Sequence, residues 1–222
     1  MGEFTTTSIR YAAYLGCSLM IGMIAREYAR ALTTSRLGDP TPRLWGRLTW
    51  NPRAWFDAFG SGLLPGLVLF LWAAASGFLP PPAAYGKPAP VDPSYLRHQT
   101  RDQVLIGFAG PLVNVALASV AGLALRAGTS LSFEVIVALV AFEFTQLSLA
   151  FFHLLPIPGL DGARLVALAL PPDARRVYRD ADRFLPLFVL AALFLIGGVI
   201  QSIVYGPVNA MCKLLSGYSC TP

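Results

Sequence analysis

The sequence predicts an all-α polytopic membrane protein. It has about four transmembrane helices, a re-entrant hairpin over 60–79 and a short surface β-hairpin at about 43–50, all in one integral-membrane domain covering 1–222. Three observations carry this reading. Only 13% of the 222 residues are charged and 55% are hydrophobic, whereas a soluble domain has roughly 25% charged. Mean hydropathy is +0.58. Runs at about 60–79, 103–125 and 184–212 contain no charged residue, and each reaches the roughly 20 residues that cross a hydrocarbon layer.

The first helix is expected over about 7–32, stopped by Leu37-Gly38-Asp39-Pro40. No cleavable leader is expected, because Arg26, Glu27 and Arg30 occupy the place of a small-residue cleavage site. From Arg43 to Trp50, polar and apolar residues alternate, and that period of two predicts the surface hairpin. Residues 60–79 are apolar but broken by Gly60, Gly62, Pro65, Gly66 and Gly77, and three prolines follow. A Lys/Pro-rich loop covers 83–102. Helices follow at 103–125 and 131–155, then a polar, Arg-rich segment at 156–183 and a last helix at about 184–207.

Charge orients the chain. If 60–79 enters and leaves by one face, the loops 34–59, 83–102 and 156–183 share that face and hold twelve Lys and Arg, leaving Arg10, Arg126 and Lys213 opposite. Such an asymmetry marks the cytoplasmic side. Irregular backbone at that depth must be covered by protein or a water-filled cavity, so other helices should enclose the hairpin. The formal charge of +5 comes with no basic stripe and no phosphate-cradling glycine loop, so nucleic acid is excluded as a partner. Cys17, Cys212 and Cys220 lack metal-ligand spacing. Cys17 reads as packing, while Cys212 and Cys220 either close a small loop or stay as two thiols.

Arg26, Glu27 and Arg30 fall inside the first helix, roughly 6–12 Å from its expected end. Ionisable groups at such depth are costly and face the bundle interior, which makes them candidates for function. The bland alternative is two arginines snorkelling to the headgroups. A second candidate is Phe152 to Gly162, where two prolines break a helix and deliver Asp161 at the membrane edge. Its bland reading is a turn-forming Asp-Gly.

These residues carry a resemblance. Arg26-Glu27-Tyr28-Ala29-Arg30, Arg36 to Pro42, Gly46 to Thr49, Asn51-Pro52, Lys87-Pro88, Arg101-Asp102, Ala109 to Asn114 and Leu154 to Gly162 resemble, in order, the motifs of small bacterial site-2 proteases, which are intramembrane zinc metalloproteases. The resemblance covers about residues 10–200. It implies a three-helix core from about 7–32, 103–125 and 131–155, a site toward the cytoplasmic face, and residence in a bacterial cytoplasmic membrane. It also implies that the Arg26 and Arg30 positions would be zinc-binding His, with Glu27 activating water and Asp161 as third ligand. His153 stands where the family usually has Asn.

The departures set the functional expectation. Guanidinium has no lone pair to give a metal, so Arg26 and Arg30 are not ligands. Two Arg facing Glu27 and Asp161 leave the same formal charge sum as a divalent ion facing two carboxylates. The expectation is therefore a catalytically inactive homologue without cofactor. It would serve as a scaffold or complex subunit that holds a membrane partner's transmembrane or extended segment, with Asn114 and His153 near the groove. The alternative is an active zinc protease with a site rebuilt from Glu27, His153 and Asp161. An ion conduit is a third class, but helices 103–125 and 184–207 offer few polar residues beyond Asn114, Gln201 and Ser202.

Overall fold

The computed structural model describes residues 2–73, 80–128 and 130–220. The chain is mostly helical, and no strand occurs among the described residues. Helix α1 runs Gly2–Arg36, well past the expected stop near residue 32. Two short helices follow, α2 at Thr41–Leu44 and α3 at Pro52–Trp55. A wide helical turn at Ala58–Leu63 leads into α4 at Leu64–Ala73. Beyond an extended run over 80–92 come α5 at Gln99–Ala127 and α6 at Phe133–His153. The chain closes with α7 at Asp161–Ala169, α8 at Pro172–Asp180, α9 at Leu185–Leu195 and α10 at Gly197–Leu215.

Helices α1, α5 and α6 pack on one another more extensively than any other elements do. Small residues bring their backbones close. A Cβ on Gly22 of α1 would lie 2.4 Å from Oε1 of Gln146 on α6, whose amide donates to the Ser18 carbonyl at 2.9 Å. At one end of the bundle Arg10 pairs with Glu134 at 3.0 Å, and the Tyr14 hydroxyl donates to the same carboxylate.

Two helices among the described residues, α5 and α6, are long and apolar enough to cross a membrane, or three if the α9–α10 pair counts as one span. Four such helices are not present among the described residues. In α1 only residues 11–25 separate Arg10 from Arg26, roughly 22 Å of helix against a hydrocarbon core of about 30 Å. The last expected helix is two, bent by 91° at Ile196 before Gly197-Gly198, the kind of glycine pair at which helices kink.

The β-hairpin at 43–50 is not formed either. The amides it would need are held by local turns: Arg43 and Leu44 donate to the Pro40 carbonyl, Trp45 to Thr41 and Arg47 to Pro42. Trp45 stands exposed, while the other indoles of the segment are used locally. Trp50 stacks on Tyr28 of α1 with centroids 4.5 Å apart. The Trp55 indole donates to the Thr49 carbonyl at 2.9 Å, and the Arg47 guanidinium lies over that ring.

Of the expected hairpin over 60–79, residues 74–79 lie outside the described residues. Its two ends meet. Asp57 caps the start by accepting from the amides of Phe59 and Gly60. The returning chain pairs with that start, Tyr85 N–H donating to the Gly60 carbonyl at 3.0 Å and Lys87 N–H to Trp55 at 2.9 Å. Asp39 ties the loops further, accepting from Thr41 and Asp92. Cys17, expected to pack inside, is on an exposed face of α1.

Candidate functional site

The site begins with helix periodicity. Arg26 and Arg30 are four apart on α1 and Glu27 lies three before Arg30, so one face carries both guanidinium groups and the carboxylate. Opposite them, Pro156 and Pro158 end α6 and a turn through Gly159 redirects the chain so that α7 starts at Asp161. Gly162 makes the approach feasible, since a Cβ there would sit 2.0 Å from the Leu154 carbonyl oxygen. Asp161 therefore stands at the first turn of α7, against the end of α6.

The four charges interlock. Arg26 donates through Nη1 to Glu27 and through Nη2 to Asp161. Arg30 donates through Nη1 to Glu27 Oε2 at 3.0 Å, and its Nε lies at ion-pair distance, 3.2 Å, from Asp161 Oδ1. None of these side chains is more than 4% exposed. Burial works to raise the pKa of Asp161, but Arg30 and Arg26 outweigh it and hold the carboxyl below its usual range. Helix α5 crosses beside the cluster at Gly110, whose absent Cβ would touch Arg26, Arg30 and Asp161 at 3.4 Å.

His153 is buried at the end of α6. Its Nδ1 is 2.9 Å from the Leu149 carbonyl, so Nδ1 carries the proton and Nε2 keeps a lone pair with no partner. That ring lines a cavity of about 20 Å³ with Arg26, Glu27, Arg30, Tyr85 and Gly86, room for about one water. Asn114, one turn along α5 from Gly110, is fully buried without a hydrogen bond and makes no polar contact with the four charges.

The segment that sequence reasoning did not bring to the site is the extended run 80–92. Residues 80–85 are buried, and a Cβ on Gly86 would meet the Trp55 carbonyl at 2.8 Å and Glu27 Cγ at 3.5 Å. The chain itself covers the cluster. The run has no chemistry-bearing periodicity, and its Pro-rich composition reads as a loop; only the interruption of an apolar stretch by Tyr85-Gly86 marks it.

Zinc does not fit these residues. Both carboxylates are gripped by guanidinium groups, and Glu27, His153 and Asp161 do not bring their ligand atoms to metal spacing. Among the described residues one acid-and-cysteine trio does converge, Glu143 with Cys212 and Cys220. There, however, the two sulfurs are joined as a disulfide.

Known proteins give the family. The chain is 34% identical over 199 residues to "Putative zinc metalloprotease Rip2" of Mycobacterium tuberculosis, covering 85% of this chain and 71% of that protein. This chain belongs to the site-2 protease-like family. "Putative zinc metalloprotease YwhC" of Bacillus subtilis is 29% identical over 205 residues, covering 85% of this chain and 86% of that protein. Rip2 of Mycolicibacterium smegmatis is 28% identical over 196 residues. No family model matches the chain, and no solved structure does. Family membership and the two apolar spans make it a membrane protein.

Proposed function

We propose that this family member is catalytically inactive and works as a multi-pass scaffold or subunit in a bacterial cytoplasmic membrane, with the cluster toward the cytoplasm. One observation carries the reading: the guanidinium groups at positions 26 and 30 engage Glu27 and Asp161, occupying both carboxylates that water activation and metal binding would need. The partner is a membrane protein in a hetero-oligomeric complex, bound through a transmembrane or extended segment. Because 80–92 already lies over the cluster, an extended partner would add beside that run. The edge toward Trp55 and Gly60 is taken, and the exposed part of the run at Lys87-Pro88 is where the partner would meet it.

A photo-reactive residue at the exposed Lys87 tests this in native membranes. The scaffold reading expects a cross-link to an intact partner, unchanged in length when Glu27→Gln is introduced. A trapped fragment that becomes full-length in the Glu27→Gln variant would favour the rebuilt-site protease instead.

A further inference from the structure

A second cavity, of about 180 Å³, lies between α7, α8, the start of α5 and the Val91–Pro93 turn. Its polar wall is formed by Gln103, Arg164, Arg175, Tyr178 and one carboxylate, Asp182, and the two arginines differ in circumstance. Arg175 is engaged by the backbone, with Nε and Nη2 donating to the carbonyls of Ala167, Leu168 and Leu170 at 2.8–3.1 Å and so closing the end of α7. Tyr178 is likewise committed, its hydroxyl donating to the Pro156 carbonyl at 2.6 Å. Arg164 has no such partner. Its Nε is buried without a hydrogen bond, and no carboxylate among the described residues lies at ion-pair distance from it.

The surroundings make this costly. Burial acts most strongly against the Arg164 charge and Arg30 adds like-charge repulsion; Asp161 and Asp182 act the other way, from beyond contact. Arg164 is half-buried as a residue, but its Nε is shut off from solvent without a partner, and desolvating part of a cation without hydrogen-bonded compensation is unfavourable. An anion in the cavity would supply that compensation, and the planar guanidinium fork suits an oxyanion. The depth also bears on the ligand. Gln103, in the first turns of the spanning helix α5, and apolar Ile106 and Leu168 line the same space, so it runs from headgroup level toward the hydrocarbon. Basic pockets in that position take anionic lipid headgroups.

We propose that this cavity is a phosphate-binding site anchored by Arg164, shaped for the headgroup phosphate of an anionic phospholipid whose first acyl carbons lie against Ile106 and Leu168. Inorganic phosphate offers the same charge without the apolar part. The proposal does not depend on whether the buried cluster is inert.

The test uses the full chain in mild detergent, with thermal unfolding followed as dioleoylphosphatidylglycerol, dioleoylphosphatidylcholine or sodium phosphate is added. Wild type should be stabilised by phosphatidylglycerol and not by phosphatidylcholine. Arg164→Gln should need about tenfold more phosphatidylglycerol for the same shift, with unchanged or higher stability before lipid is added, because no ion pair is lost. Arg164→Lys, which keeps the charge, should retain part of the response and serves if the glutamine variant does not fold. Arg176→Gln, at an exposed position of α8, should respond as wild type does. Equal stabilisation by inorganic phosphate would assign the site to soluble phosphate. An Arg164→Gln response identical to wild type, or no shift with either phosphate source, would overturn the proposal.

Discussion

Arg26 is the residue on which the account turns, because it touches both carboxylates while Arg30 touches each from a second side. A divalent ion is a compact charge held by lone pairs; two guanidinium groups are a distributed charge that donates protons. Both neutralise Glu27 and Asp161, but only the ion leaves a position open to water. The energetic consequence is asymmetric. Asp161→Ala leaves a surplus cation in a site that is nearly dry, a loss of roughly 3–5 kcal/mol by comparison with other broken buried pairs. Combining it with Arg26→Met leaves Glu27 and Arg30, a neutral pair already bonded at 3.0 Å. The double variant should therefore unfold at a higher temperature than Asp161→Ala alone, as read by tryptophan fluorescence in detergent. Additive losses would mean that Arg26 and Asp161 contribute independently.

At the scale of elements, the hairpin around 58–92 has both ends bonded together. Tyr85 pairs with Gly60 and Lys87 with Trp55, the arrangement expected if 60–79 enters and leaves the membrane by one face. Single cysteines at Arg53 and Lys87, in a chain with Cys17→Ser, should both label with a membrane-impermeant maleimide only from the cytoplasmic side. Labelling from opposite sides would make 60–79 a span. The break in the apolar run at 60–79 was legible because Gly and Pro interrupt it; α5 was legible from its uncharged stretch at 103–125, and α6, which carries Glu134 and Glu143, from its length and hydropathy. The β-hairpin at 43–50 was misread because period-two alternation records which side chains face apolar surroundings, not which amides are free. Pro40, Thr41 and Pro42 carbonyls had claimed those amides. The last helix was overextended because its composition stays apolar through Gly197-Gly198, where the backbone turns. In the site, Arg26, Glu27 and Arg30 stood out by their depth in the first helix and Asp161 by the broken helix before it, and the family resemblance joined them, whereas the cover formed by 80–92 and the cavity at Arg164 arise from long-range packing that has no local signature.

The whole molecule closes at its far end. Cys212 and Cys220 are bonded with Cα atoms 5.9 Å apart, and Cys220 is buried beside Glu143, which folds the end of the chain back onto α6. Reduction should raise the intact mass by two hydrogens and lower stability by about 2–3 kcal/mol, the loop-closure value for so short a ring; an unchanged mass would mean two free thiols. At the other end of the bundle, the proposed function has Arg26 and Arg30 standing where a metal would. Zinc content of the protein, purified from zinc-supplemented cells without chelators and measured by plasma mass spectrometry, tests it most directly, with the Arg26→His/Arg30→His double variant alongside. The account predicts background zinc in the wild-type chain and a gain in the double variant. Stoichiometric zinc in the wild type, lost on Asp161→Ala, would contradict it.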